Sequence, residues 1–325
     1  MTATILATAQ RSGQRRWLPL AAIWLALIAA PFWLPLLGGY TALAGKVLVF
    51  GLAAMGLNLL LGFTGVLSFG HAAYFGLGAY GAGLFLKYVA HSTLLGMLAG
   101  ILLGGLAGML FGLLIVRRRG VYFAMSTIAF GQIFYYIAYS WNDFTGGFDG
   151  LRGFHREPIG YGPLTLDIAE GTRFYYFALI VFAVAVALMG LIVKSPFGRT
   201  LRAIRENERR ARFLGIPVER HIWLSFSISC FFTALAGTLY ALLNNFADPL
   251  TLHYSLSGYF VIMAVMGGMR AFWGPLLGAA VFVVLQDYIS SMTVNWMSFI
   301  GLIFMLVVLF FPRGLLGILR RRSAG

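Results

Sequence analysis

Long uninterrupted apolar runs constrain this chain more than any other feature. They cover residues 17–37, 94–116, 120–141, 174–193, 222–243 and 296–311. Most reach the roughly 20 residues that cross a bilayer as a helix. In lipid every backbone N–H and C=O must find its partner inside the structure, and long continuous runs achieve this as helices. A transmembrane barrel would show short alternating strands instead. The fold class expected is therefore all-α, a polytopic membrane helix bundle. Composition agrees, with 60% hydrophobic residues, 10% charged residues and a mean hydropathy of +0.85.

Two further regions are long but interrupted. Residues 46–86 are enough for two helices, broken near "GFTG" (Gly62 to Gly65). Residues 258–286 are broken by "GGMRAFWGP" (Gly267 to Pro275), which holds Arg270. The first run follows Arg11, Arg15 and Arg16, and its length favours a retained span over a cleaved signal peptide.

The net charge of +14 is confined to gaps between the runs, which argues for inner loops and against nucleic acid as partner. Residues 194–220 carry Lys194, Arg199, Arg202, Arg205, Arg209, Arg210, Arg212 and Arg220 against Glu206, Glu208 and Glu219. Arg117–Arg119 and Arg320–Arg322 form two more basic clusters. All three share the cytoplasmic side only if 46–86 and 258–286 each make two passes. About ten membrane segments follow, with both termini inside. For 258–286, two short passes and a re-entrant hairpin both fit. The expected plan is a tail (1–16), a transmembrane domain (17–312) and a second tail (313–325). Within the domain lie an external loop (142–173) and a cytoplasmic loop (194–221). The external loop carries Asp143, Asp149, Glu157, Asp167 and Glu170.

Glycine needs its own account. Gly76, Gly78 and Gly81 spell the dinucleotide fingerprint G-x-G-x-x-G, but no strand precedes it. Residues 1–142 also contain no Asp or Glu to hold a ribose. Gly96, Gly100, Gly104, Gly108 and Gly112 recur every four residues, a ridge that lets membrane helices approach closely. Transporters often carry one Gly/Pro-interrupted segment in each half. The two broken regions fit that pattern and an internal inverted repeat. Polar residues at or near the first break, Asn58, Ser68 and His71, are candidates to line a path, with Thr127 and Gln132 on a later run. Each also fits a simple hydrogen bond between or within helices.

Nothing in the chain looks like an engine. Apart from His71, the spans lack the ionisable groups of an ion-coupled carrier. "GGYTALAGKV" fails as a phosphate-binding loop, because its spacing is wrong and Val47 replaces Ser or Thr. There is no H-E-x-x-H pattern, and the single Cys230 offers no disulfide or Cys-based metal site. The chain is therefore not expected to be an enzyme; it either conducts passively or borrows energy from a partner. "SPFGRTLRAIRENERRARFLGIP" has a helix start at Ser195-Pro196 and a stop at Gly215 and Pro217. Its apolar edge, Leu201, Ile204, Ala211 and Leu214, suits either a groove in another protein or a lipid surface.

At these residues the sequence resembles the permease subunits of branched-chain (hydrophobic) amino acid ABC importers. The likeness is greatest to the M-type subunit of a heterodimeric pair. The stretches that carry it are "GLNLLLGFTGVLSFGHAAYFGLGAYGAG" (56–83), "RGVYFAMSTIAFGQI" (119–133), "TGGFDGL" (145–151), "SPFGRTLRAIRENERRARFLGI" (195–216), "GTLYAL" (237–242) and "VMGGMRAFWGPLLGA" (265–279). They run in the right order through roughly residues 45–315. Arg212 and Gln132 depart from the family pattern.

The resemblance implies amino-acid transport in a bacterial inner membrane by a heterodimer of permeases. Two cytoplasmic ATPase subunits would bind the ATP, so this chain would carry no cofactor and no metal. A soluble extracytoplasmic binding protein would deliver the solute. Arg202, Ala203, Arg205, Glu206 and Asn207, with Gly215, would form the ATPase-coupling helix. Thr145, Gly146, Gly147, Asp149 and Gly150 would lie where the binding protein docks. Related permeases import urea or short amides, whose outer motif is richer in Asn. A stand-alone channel or secondary carrier is the competing class.

Overall fold

The computed structural model describes residues 21–36, 38–159, 167–311 and 314–317. The expected tail at 1–16, most of the 313–325 tail with Arg320–Arg322, and residues 160–166 of the outer loop lie outside those residues. So do residues 17–20 and 37 of the first run.

Among the described residues the regular elements are all helical, with an isolated antiparallel bridge from Leu151 to Ala247 and no strand. Helix α1 covers Ala30–Leu36. The interrupted region 46–86 resolves into α2 (Thr41–Leu61) and α3 (His71–Tyr88). Then come α4 (Thr93–Ile115), α5 (Val121–Ser140) and α6 (Gly171–Lys194). Two short helices follow, α7 (Pro196–Glu206) and α8 (Glu208–Phe213), before the long α9 (Val218–Asn244). The second interrupted region becomes α10 (Tyr254–Gly267) and α11 (Gly274–Met292), and α12 covers Trp296–Phe310.

Among the described residues seven helices are long and apolar enough to cross a membrane: α2, α4, α5, α6, α9, α11 and the one starting at Trp296. That set leaves out α3 and α10. Helix α3 spends its apolar positions on small residues, because its face is pressed against neighbours. Helix α10 has 14 residues, or about 21 Å of rise, against a hydrocarbon core of roughly 30 Å.

The centre is built from α3, α4 and α9, with α2 on the far side of α9. Helices α2 and α9 are apolar all round and mostly buried, as expected of helices enclosed on every side. The glycine ridge of α4 explains the close packing. A Cβ on Gly104 would sit 2.6 Å from the Ala234 side chain, and one on Gly100 would strike the Gly78 carbonyl. Gly96, Gly108 and Gly112 face Leu86, Cys230 and Phe226 in the same way. Without a hydrophobic drive between helices in lipid, such backbone approach supplies the dispersion contact that holds them.

The helix ends fall into two sets. At one end Arg119 Nε pairs with Glu208 at 2.9 Å, and Gly62 lies against the Met269 carbonyl. At the other, Thr93 Oγ1 donates to the Glu157 carbonyl at 2.7 Å, and Tyr40 Oη donates to Asp287 at 2.7 Å. The basic clusters 117–119 and 194–220 and Arg270 thus share one end of the bundle. The described acidic loops share the other.

Candidate translocation and coupling site

The break between α2 and α3 is a knot of side-chain hydrogen bonds. His71 opens α3 and is fully buried. Its Nδ1 bonds Ser68 Oγ at 2.9 Å and its Nε2 bonds Ser229 Oγ of α9 at 2.7 Å. Ser229 donates in turn to the Gly56 carbonyl of α2 at 2.5 Å. Thr64 and Ser225 share a hydroxyl bond of 2.8 Å, and Thr64 also donates to the Leu59 carbonyl at 3.2 Å. Thr127 of α5 accepts from the Phe69 amide at 3.1 Å. A chain that stops being helical where it is buried must find partners for its freed backbone groups, and these hydroxyls provide some of them.

Of the path candidates, Ser68, His71 and Thr127 are therefore gathered at one place. All three are buried and committed to protein partners. Asn58 lies in α2 just before the break, buried, with no hydrogen-bond partner for its Oδ1 among the described residues. Gln132 stands apart on α5, and its buried Nε2 likewise has no described partner.

Below the knot lies a cavity of about 610 Å³. Its walls are the loop Thr64–Phe69, the start of α5, Arg118 and Arg119, and the α7–α8 segment through Ile204, Arg205 and Glu208. Sequence reasoning expected one continuous helix in this loop. The structure has two, bent at Asn207, whose side chain caps α8 by accepting from the Arg210 amide at 2.9 Å. At the head of α7, Ser195 Oγ accepts from the Gly198 amide at 3.3 Å.

The apolar edge of this pair is also corrected. Leu201, Ile204 and Ala211 are buried against Val116, Val218, Ile222 and other parts of the chain itself, so only Leu214 of that edge is exposed. The helices seat inward because the edge finds apolar surface in its own bundle. Two arginines turn inward with it. Arg202 donates to the Val193 carbonyl at 2.7 Å and lies over the Phe63 ring. Arg205 donates to the Gly62 carbonyl and packs against Gly65, which is at φ +81°, a left-handed backbone position. Arg205 thus links the loop helices to the break. Ala203, Glu206, Asn207 and Gly215 remain on the exposed face, with Phe213 at 90% exposure.

Helix α8 is held by charge. Glu208 accepts from Arg119 and from Arg212, each at 2.9 Å, and Arg212 reaches Glu219 at 3.3 Å. Burial alone would raise the Glu208 carboxyl, but the two guanidinium groups outweigh it and hold it below its ordinary value. Arg212, one of the two positions outside the family pattern, is the hub of these pairs.

At the other end, "TGGFDG" is a folded turn. Gly146, Gly147 and Gly150 adopt φ of +82°, +57° and +73°, where side chains are strained. Thr145 Oγ1 donates to the Ala138 carbonyl at 2.7 Å. Asp149 is exposed at the tip. The turn leads into the bridge from Leu151 to Ala247, which ties the outer loop to the α9–α10 connection.

A second cavity, of about 380 Å³, opens at this end between α2, α9, α10, α11 and α12. Asp248, His253, Tyr259, Gln286 and Trp296 line it. Sequence reasoning passed over all five. Their one signal was "ADPLTLHY", an acid and a histidine in the connection between two apolar runs.

A glycine-packed bundle with two broken helices, cavities at both ends and an arginine-rich helix pair bound to one break defines a membrane permease. The comparisons make the class specific: residues 39–309 match the family described as branched-chain amino acid transport system / permease component, and the chain belongs to that family. It is a transport permease subunit of an ABC importer, not an enzyme. The chain is 26% identical over 343 residues to the high-affinity branched-chain amino acid transport system permease protein LivM of Escherichia coli K12, covering 97% of this chain and 78% of the relative. It is 29% identical over 143 residues to LivH of the same organism, covering 43% and 46%. It is also 31% identical over 112 residues to the guanosine ABC transporter permease protein NupQ of Bacillus subtilis, covering 33% of each. No solved structure matches.

Proposed function

We propose that this chain is the M-type half of the membrane domain of an importer for branched-chain or other hydrophobic amino acids. A second permease completes the path, and two ATPase subunits at the basic end bind and hydrolyse the ATP. This chain needs no cofactor of its own. A soluble binding protein delivers the amino acid at the acidic end, near Asp149. The basic end faces the cytoplasm of a bacterial inner membrane, and both termini lie there. The charge bias of membrane loops supports this sidedness.

The observation that carries the coupling role is Arg205. It joins the exposed α7–α8 surface to the carbonyl of Gly62 at the broken helix. A push on that surface would reach the break directly. The buried polar groups fit the same reading. His71 is hydrogen-bonded through both ring nitrogens, which suits a structural clasp and not a proton carrier.

The test is reconstitution of the chain with its partner permease, ATPases and binding protein in proteoliposomes. Leucine uptake should depend on ATP inside and binding protein outside. Uptake by this chain alone, without ATP, would overturn the proposal.

A further inference from the structure

The outer cavity is placed and equipped for more than packing. It lies at the end of the bundle opposite Arg205, and its volume of about 380 Å³ falls at the small end of the range for small-molecule sites. Its apolar wall comes from Phe50, Leu256, Met263 and Phe282.

Polar groups interrupt that wall, among them Asp248, His253 and Gln286. Asp248 uses Oδ1 to cap the turn Pro249–Leu252, accepting from the Leu250 amide at 2.8 Å. Among the described residues no Lys or Arg pairs with this half-buried carboxylate. A half-buried carboxylate with no basic partner is a natural acceptor for a cationic group. The second group, His253, accepts at Nδ1 from the Ser255 amide at 3.4 Å. The same Nδ1 bonds the Ser255 hydroxyl at 2.9 Å, and with Nδ1 engaged by Ser255 the ring's proton falls to Nε2; burial holds the imidazole below its ordinary value. It is therefore a donor. Gln286 adds an amide that also can donate.

An acceptor of negative charge, two neutral donors and an apolar wall match a zwitterion with a hydrocarbon side chain. We infer that this cavity is a transient subsite for an α-amino acid entering the permease: Asp248 takes the ammonium, His253 and Gln286 take the carboxylate, and Phe50, Leu256, Met263 and Phe282 take the side chain. The inference rests on the proposed import of hydrophobic amino acids and locates one stage of it in this chain. Specificity then resides partly in the permease as well as in the delivering protein.

The experiment uses the full reconstituted transporter and radiolabelled leucine. Asp248→Asn keeps the acceptor that caps the turn and removes the charge. It should raise the leucine KM at least about tenfold, the scale of losing one well-placed charge partner. Gln286→Ala is the second variant, because it leaves the turn untouched, and should raise KM about threefold. 4-Methylpentanoate, which is leucine without its ammonium, should compete weakly and equally against the parent and Asp248→Asn. If the parent imports leucine while both variants keep the parental KM, the subsite is refuted and the import function stands. If the parent hydrolyses ATP but moves no leucine, the function itself fails, and the subsite falls with it.

Discussion

The two helix breaks lie at the same end of the bundle and touch each other, yet they are built from opposite materials. The break between α2 and α3 is closed by side chains: Thr64, Ser68, His71, Ser225 and Ser229 bond one another and the freed carbonyls. The break between α10 and α11 is closed by backbone. A Cβ on Gly267 would strike the Gly274 carbonyl, and one on Gly278 would strike that of Met263. Hydroxyl hydrogen bonds can change partners by rotation of the side chain, whereas the backbone contacts at the second break leave no room for a Cβ. Arg205 grips only the first, at Gly62. The first break is thus held mainly by side-chain hydrogen bonds beside Arg205, and the second by close backbone packing.

Gly278→Leu is the harshest challenge to that contrast. Four side-chain atoms would enter a space with no room for one. A cost of about 3 kcal/mol, the upper range for overpacking, is expected. It should appear as a sharp loss of monodisperse protein in detergent and of thermal stability. A Gly278→Leu protein that folds normally would show that this backbone contact does not close the second break.

His71→Ala comes next. It leaves Ser68 and Ser229 without the ring that joins them, at about 1–3 kcal/mol for the orphaned buried groups. Thermal unfolding should shift down by less than in Gly278→Leu. Disulfide cross-linking across the break should become more permissive. An unchanged melting temperature would argue that water replaces the ring.

Arg205→Ala sharpens the comparison functionally. Burial of the guanidinium and the nearby Arg270 charge both disfavour its protonated form, so its hold on Gly62 comes from the hydrogen bond. ATPase activity of the assembled complex should persist while leucine uptake per ATP falls about tenfold, a change of about 1.4 kcal/mol in coupling. Equal losses of hydrolysis and uptake would place Arg205 in ATPase binding instead.

The smallest effect concerns acid. Glu208 has a carboxyl held below its ordinary 4.5 by Arg212 and Arg119. A depressed native value contributes stability that is complete above the unfolded value and lost as pH falls through the native one. Amide-exchange protection of α8 should therefore be constant from neutrality to about pH 5 and decline below about pH 4.5. Because these pairs are partly exposed, only a few tenths of a kcal/mol are expected. Glu208→Gln should remove the decline.

Much of this was legible beforehand. The apolar runs fixed an all-helical membrane bundle, because lipid offers the backbone no other partner. Glycine and proline marked both breaks, since they are the residues that tolerate or force a departure from the helix. The four-residue glycine period on α4 announced a close-packed face. Charge alone separated the two ends. Three things were not legible, and all depend on which surfaces meet. Sequence shows an amphipathic edge but not what covers it, so Leu201, Ile204 and Ala211 suited either a protein groove or a lipid surface. In the fold all three are buried by the chain itself, Ile204 and Ala211 against Val116, Val218 and Ile222. Sequence shows polar residues but not their bonding, so His71 fitted both a path and an interhelical bond; the fold sets its Nε2 against Ser229, 158 positions later. The outer cavity draws residues from five helices and a turn, and no local pattern brings Asp248, Gln286 and Trp296 together. Local chemistry determined the elements and where they break; long-range packing decided which polar groups are spent on the fold and which line a cavity.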